Sequence, residues 1–130
     1  MFFHEEFYFH DGETGEKLFV ALGNVASIHV VAKTTSKQHG RGTSFGCQPE
    51  DRFHNAYLPP GCCYLRCNTW VCLDEFYEFG SKAVLAARFS GLIKPVCDLP
   101  KEITRMIQEC ALESLDISPA QTEAVRASLV

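Results

Sequence analysis

The chain opens on an aromatic run, residues 2–9, interrupted by Glu5-Glu6. Flat rings suit a pleated surface, so this run is expected to be a strand. Residues 10–16 hold two Gly and an Asp and read as a loop. Residues 18–22 (LFVAL) are an apolar strand. Gly23-Asn24 then supplies residues that tolerate positive φ, the chemistry of a tight turn. Residues 27–33, with Ile28, Val30 and Val31, form the next strand. This predicted hairpin is apolar in the middle and polar at both ends, with Lys17 at its start and Lys33-Thr34-Thr35-Ser36 at its finish.

Residues 34–55 carry Gly40, Gly42, Gly46 and Pro49 and few apolar side chains. A stretch of this kind reads as a functional flap or a mobile segment. Residues 56–58 are a short strand ended by Pro59-Pro60-Gly61, and residues 62–66 are a further candidate strand. Residues 69–79 (TWVCLDEFYEF) alternate like a strand, bend at Asp74-Glu75 and resume. After a Gly80-Ser81 turn, residues 82–90 fit helix or strand, with Ala-rich composition favouring helix. Asp98-Leu99-Pro100 opens a helix whose apolar stripe is Ile103, Met106, Ile107, Cys110 and Ala111. Ser118-Pro119-Ala120-Gln121 reads as a capping box before a last short helix ending near Leu129. The order of elements predicts a mainly β domain, a small bent antiparallel sheet or barrel with helices packed on it. The 130 residues are expected to make one domain, β over about 1–97 and helical over about 98–130.

Composition supports a folded domain, with 46% apolar and 12% aromatic residues. A net charge of −4 exerts no bulk pull on nucleic acid or anionic lipid. Nucleic-acid binding would need a local basic patch, and Lys33, Lys37, His39 and Arg41 form the sequence-local candidate. No run approaches the roughly 20 apolar residues of a membrane-spanning helix. The first ten residues have two Glu and no Lys or Arg, unlike a secretory signal. Seven Cys without such a signal suggest free thiols in the cytoplasm.

Several groups are candidates for chemistry. His39, Cys47, His54, Cys62, Cys63, Cys67 and Cys72 populate the middle of the chain, and Cys63-x3-Cys67 has zinc-knuckle spacing without a matched second pair. Buried thiols are the simpler expectation, and no motif marks any one Cys as a nucleophile. Asp74-Glu75 is either a solvated bend or a base or ligand pair. Lys17 with Thr34-Thr35-Ser36 places a cation and hydroxyls at one sheet edge, a combination that holds phosphate by charge and hydrogen bonds.

The order K-L-F-V-A-L, V-V-A-K-T-T-S, L-P-P-G, T-W-V-C-L-D-E-F and G-L-I-K-P leading into a helix resembles the MazF/PemK (Kid) family of toxin endoribonucleases. That family shows R-P-V-L-V-L, V-V-A-P-I-T-S, a Pro-Gly turn, L-D-Q and I-G-x-L before a C-terminal helix. The resemblance spans residues 7–117. It implies a small SH3-like β-barrel of the MazF/PemK/CcdB type. It also implies a cytoplasmic homodimer that cuts single-stranded RNA without metal or cofactor and is neutralised by an antitoxin protein. Lys17 stands at the family's Arg, Leu18 at its Pro, Thr35 and Ser36 at its T-S, Asp74 at its Asp, and Glu75 where Gln is common. Lys keeps the charge of Arg and loses the bidentate fork. The implied catalytic residues are Lys17, Thr35 and Glu75, with His10 a second candidate base. The implied RNA contacts are His10, Thr34, Ser36, Lys37, Arg41 and Asp74, with Phe45 and Tyr57 as base-stacking candidates and no metal ligands. Two other readings compete. One is a non-catalytic module of the same fold, protein-binding or gyrase-poison-like, favoured by the acidic charge and the Lys17 and Leu18 departures. The other is a small zinc-stabilised domain.

Overall fold

The computed structural model describes residues 1–8, 14–62, 65–96 and 98–130. His10 and Cys63 therefore lie outside the described residues, as does part of the candidate strand at 62–66. Three strands, β1 (Phe2–Tyr8), β2 (Thr14–Val25) and β3 (Ile28–Thr35), form an antiparallel meander. A second meander is built from β4 (Gly46–Gln48), β5 (Asn55–Leu58) and β6 (Thr69–Cys72). Then come β7 (Tyr77–Gly80), α1 (Ser81–Ser90) and β8 (Ile93–Pro95). Two helices, α2 (Lys101–Leu112) and α3 (Pro119–Ala127), end the chain.

β3 joins the two meanders. Its first half, from Ile28 to Val31, pairs with β7, and its last residues, Thr34 and Thr35, pair with Val71 and Trp70 of β6. The sheet must bend where the partner changes, at Ala32-Lys33. The strand order is β4-β5-β6-β3-β2-β1-β8 with β7 also on β3. All described pairings are antiparallel, and they leave the sheet open between β4 and β8. A mainly β fold with C-terminal helices is what the chain order predicted.

Strand alternation sorts side chains to two faces. The inner face buries Val20, Leu22, Val30 and Ala32 with Ala56, Leu58, Val71 and Leu73. Ile107, Cys110 and Ala111 of α2 and Ala124 and Val125 of α3 cover them. Each fully buried Val or Leu contributes roughly 1.5–3 kcal/mol. The Gln108 amide ties the helix layer to the sheet, donating to the Leu22 carbonyl at 2.9 Å and the Ser128 carbonyl at 2.8 Å. The outer face carries an aromatic cluster, Phe19, Val31 and Tyr77 with Phe2 and Phe79.

Several boundaries differ from expectation. β2 runs through Gly23-Asn24, and the turn falls at Ala26-Ser27, where Ala26 has φ 52°. Gly23 serves a close approach instead. A Cβ there would stand 2.6 Å from the Ala124 carbonyl oxygen of α3. Residues 82–90 are helical within α1, which buries no residue and leaves Phe89 86% exposed. The Ser118–Gln121 capping box forms as expected, with both reciprocal hydrogen bonds present. No helix of the described residues is long and apolar enough to cross a membrane.

Candidate functional site

The bend in β3 decides which polar groups meet. Val31, Lys33 and Thr35 alternate outward, whereas Val30, Ala32 and Thr34 point to the inner side. Phe19 of β2 lies opposite Lys33 in the register, and Lys17, two residues earlier, shares the face of Phe19. Lys17, Lys33 and Thr35 are thus neighbours on the outer face, at the edge of the aromatic cluster. Thr34 has a different task. It is 5% exposed and donates its hydroxyl to the Leu18 carbonyl at 3.0 Å, strapping β3 to β2.

Thr35 Oγ1 accepts from the Lys37 backbone N–H at 3.1 Å. That hydrogen bond folds the chain back at the strand end and leaves the hydroxyl proton without an acceptor among the described residues. Ser36 and Lys37 are exposed beside it. Glu75, in the bend between β6 and β7, is held at both oxygens. Lys33 Nζ lies 3.5 Å from Oε2, and the Tyr77 hydroxyl donates to Oε1. The Lys33 and Glu75 side chains are each about a quarter exposed, at 28% and 29%.

The electrostatics bind these pieces together. Burial lowers the Lys17 pKa below that of a free lysine, and the charges of Lys33, Lys37 and Arg41 lower it further, against an opposing influence from Cys72. Lys17 is therefore surrounded by like charge in a partly desolvated place. Burial also raises the Cys72 pKa, helped by Asp74 and opposed by Arg41, Lys33 and Lys17. Cys72 accordingly stays a thiol at neutral pH and is a poor nucleophile.

Arg41 supplies its charge from a buried position, 9% exposed. Its Nη1 donates to the carbonyls of Lys37 at 3.4 Å and Gln38 at 3.3 Å, and its guanidinium lies over the Phe53 ring. Nη2 is 3.8 Å from Cys72 Sγ, and Nε is buried without a hydrogen-bond partner. The loop it organises is pinned and is no free flap. The Gly42 carbonyl accepts from Trp70 Nε1 at 2.8 Å and from Gln48 Nε2 at 2.9 Å. Gln48 also donates to Asn55 Oδ1 at 2.8 Å, and Asn55 donates to Asp51 at 2.9 Å. Polar side chains thus supply the order that few apolar residues could give, a pattern invisible to periodicity.

The remaining predicted residues fall elsewhere. Asp74 lines a separate cavity of about 360 Å³ with Asp51, Arg52, His54, Glu113 and Asp116, so it parts from Glu75. Tyr57 is 6% exposed, packs on Trp70 and donates to Asn68, leaving it no free face for a base. Phe45, 57% exposed, keeps one. Cys67 is exposed and unpaired. Cys47 and Cys110 form a disulfide, which corrects the expectation of free thiols for these two, while Cys67 and Cys72 are free thiols. Their separation of 63 residues hid the pairing from any local spacing rule, while the fold brings their Cα atoms to 5.5 Å. Tyr77, which holds Glu75 with Lys33, carries no signal in the sequence, and Lys33 stood only in the candidate basic patch. The i, i+2 relation of Lys33 to Thr35 was the available signal.

No family model, curated protein or solved structure matches the chain.

The chemistry rests on the groups themselves. Lys17, Lys33, Lys37 and Arg41 bring positive charge around one hydroxyl and one carboxylate in a protein of net charge −4. Such a local excess attracts an anion with tetrahedral oxygens, and a partly dry site strengthens that attraction. Phe2 and Phe79, partly buried, pack against Phe19, Val31 and Tyr77 on the same outer face.

Proposed function

We propose that this protein is a metal-independent endoribonuclease that cleaves single-stranded RNA, the toxin of a toxin–antitoxin pair, built on an SH3-like barrel of the MazF/PemK kind. The observation that carries the reading is that Lys17 and Thr35 share one outer face with Lys33, which holds the Glu75 carboxylate, while the charges of Lys33, Lys37 and Arg41 act on Lys17. Lys17 and Thr35, far apart in the chain, share this charged face with Lys33, whereas Asp74 lies apart in the separate cavity.

In this reading the RNA 2′-hydroxyl attacks the adjacent phosphorus. Glu75, aimed by Lys33 and Tyr77, takes the 2′ proton. Lys17 and the Thr35 hydroxyl bear on the phosphoryl oxygens, where negative charge develops. The P–O5′ bond breaks, and Lys17 returns a proton to the departing oxygen. Its lowered pKa makes that transfer easier than from an ordinary lysine. Products are a 2′,3′-cyclic phosphate and a 5′-hydroxyl. Lys37 and Ser36 lie where a backbone phosphate next to the scissile one would pass. Arg41 is a positioning residue that holds the loop and adds charge. The protein acts as a cytoplasmic homodimer, and the antitoxin covers the RNA groove.

Product chemistry tests this. Incubation with long unstructured RNA in EDTA should give 2′,3′-cyclic ends, and a 2′-deoxy nucleotide at the scissile position should block the cut. Cleavage that leaves 3′-hydroxyl ends contradicts the mechanism.

A further inference from the structure

The Cys47–Cys110 bond sits in a wider cluster that the RNA reading does not use. Cys47, His54 and Cys110 each offer a ligand atom, all within 4.8 Å of one another. Glu113 adds a carboxylate oxygen 4.0 Å from Cys47 Sγ. We propose that, once this disulfide is reduced, Cys47, His54, Cys110 and Glu113 bind one zinc ion, so that the same residues alternate between a disulfide and a metal site.

The frame is well suited to this. Cys47 lies on β4 and His54 just before β5, so the two come from one hairpin. Cys110 and Glu113 lie one turn apart at the end of α2. Two chelating pairs thus face each other from separate elements, the arrangement of structural zinc sites. His54 Nε2 is 3.5 Å from Cys110 Sγ. Tetrahedral zinc with Zn–N near 2.0 Å and Zn–S near 2.3 Å separates nitrogen and sulfur by roughly 3.5 Å. The imidazole already stands at one edge of the tetrahedron. The sulfurs need to part to roughly 3.8 Å, the corresponding edge for two thiolates. Cys47 is only half-buried and Glu113 is exposed, so both have room to adjust.

His54 Nε2 now contacts the Cys110 carbonyl at 2.6 Å. Ligation requires the tautomer protonated at Nδ1, which moves a proton within the ring and releases none. His54 and Glu113 line the 360 Å³ cavity, together with Asp51, Asp74 and Asp116. That cavity gives an entry path edged with carboxylates. Asp74 Oδ1 is buried there without a hydrogen-bond partner.

The steps balance. A dithiol reductant gives two electrons and two protons to the disulfide, yielding two protein thiols and the oxidised dithiol. Zinc then replaces the two thiol protons, which leave to solvent. Two thiolates, one carboxylate and a neutral imidazole leave the complex with a single negative charge. A disulfide oxidant reverses the sequence and expels the ion. The staple between the β4–β5 hairpin and α2 therefore persists in a reducing compartment, where a disulfide would not.

Zinc titration of the 130-residue chain decides the matter. The protein reduced with a phosphine is expected to retain one zinc per chain after dialysis, and the oxidised protein none. Cobalt(II) in place of zinc should show a thiolate charge-transfer band. Cys47→Ser and His54→Ala should each lose stoichiometric binding, while Cys67→Ser keeps it. Less than stoichiometric zinc on reduced protein, equal zinc on oxidised protein, or full binding by Cys47→Ser overturns the proposal. If a ligand variant fails to fold, the difference in bound zinc between reduced and oxidised wild type still distinguishes the outcomes.

Discussion

Lys33 on β3 and Glu75 in the bend after β6 meet across the outer face at 3.5 Å, and Tyr77 holds the other oxygen of the same carboxylate. The pair ties the Glu75 carboxylate to Lys33, which shares the outer face with Lys17 and Thr35. Because both side chains remain partly exposed, the ion pair is worth about 1 kcal/mol or less to stability. Glu75→Gln should therefore unfold in urea within about 1 kcal/mol of wild type. Its RNA cleavage should fall by roughly 100-fold or more, the usual size of a general-base contribution. Single-turnover cleavage and urea melts on the same preparations separate the two effects.

The lowered Lys17 pKa sets a pH dependence with a definite sign. Burial and the neighbouring cations favour the neutral amine, so Lys17 loses its proton at lower pH than free lysine does. Cleavage that needs the ammonium falls as pH rises through that lowered pKa. Lys37→Ala removes one repelling charge and should move this high-pH limb upward. A pH–rate profile of both proteins is the measurement, and a limb that stays or moves down contradicts the cluster.

Gly23 is a packing glycine. In Gly23→Ala the new Cβ would meet the Ala124 carbonyl oxygen at 2.6 Å and Val125 Cα at 3.0 Å. Both are backbone atoms, so α3 must shift, at a cost of about 1–3 kcal/mol. Gly80→Ala, whose nearest atom is the Ser27 carbonyl oxygen at 4.0 Å, should change stability by under about 1 kcal/mol. Urea midpoints compare the two.

Asn55 is fully buried and joins the loop to the sheet. It accepts from Gln48 and donates to Asp51 and the Phe53 carbonyl. Asn55→Ala strands these partners and should cost about 2–3 kcal/mol, since unsatisfied buried groups carry their desolvation penalty. Trp70, bonded to Gly42 of the same loop, should report the loosening by its fluorescence.

The sequence made the long elements readable and the short ones not. The strands around Val20, Val30 and Val71 and the stripe of Ile107, Cys110 and Ala111 are written in periodicity, because each buries one face. β4 and β8 span three residues apiece, too few for any period. Gly23-Asn24 has turn chemistry, yet the approach of α3 claims Gly23 and the turn moves to Ala26. The site was half legible. Lys17, Thr35 and Glu75 stand in ordered motifs, but Asp74 parts from its neighbour because the bend aims adjacent residues to opposite sides. Arg41 reads as a surface cation and is buried, since its carbonyl partners come from its own loop.

The proposed RNA cleavage depends on Lys17 and Thr35 together with Glu75. The most direct measurement is the single-turnover cleavage rate of long unstructured RNA in EDTA, with the disulfide intact, for wild type, Lys17→Ala and Thr35→Ala. Metal-free cleavage by wild type is expected, with a loss of roughly 100-fold or more in each folded variant. No cleavage by wild type, or equal rates in all three proteins, would contradict it.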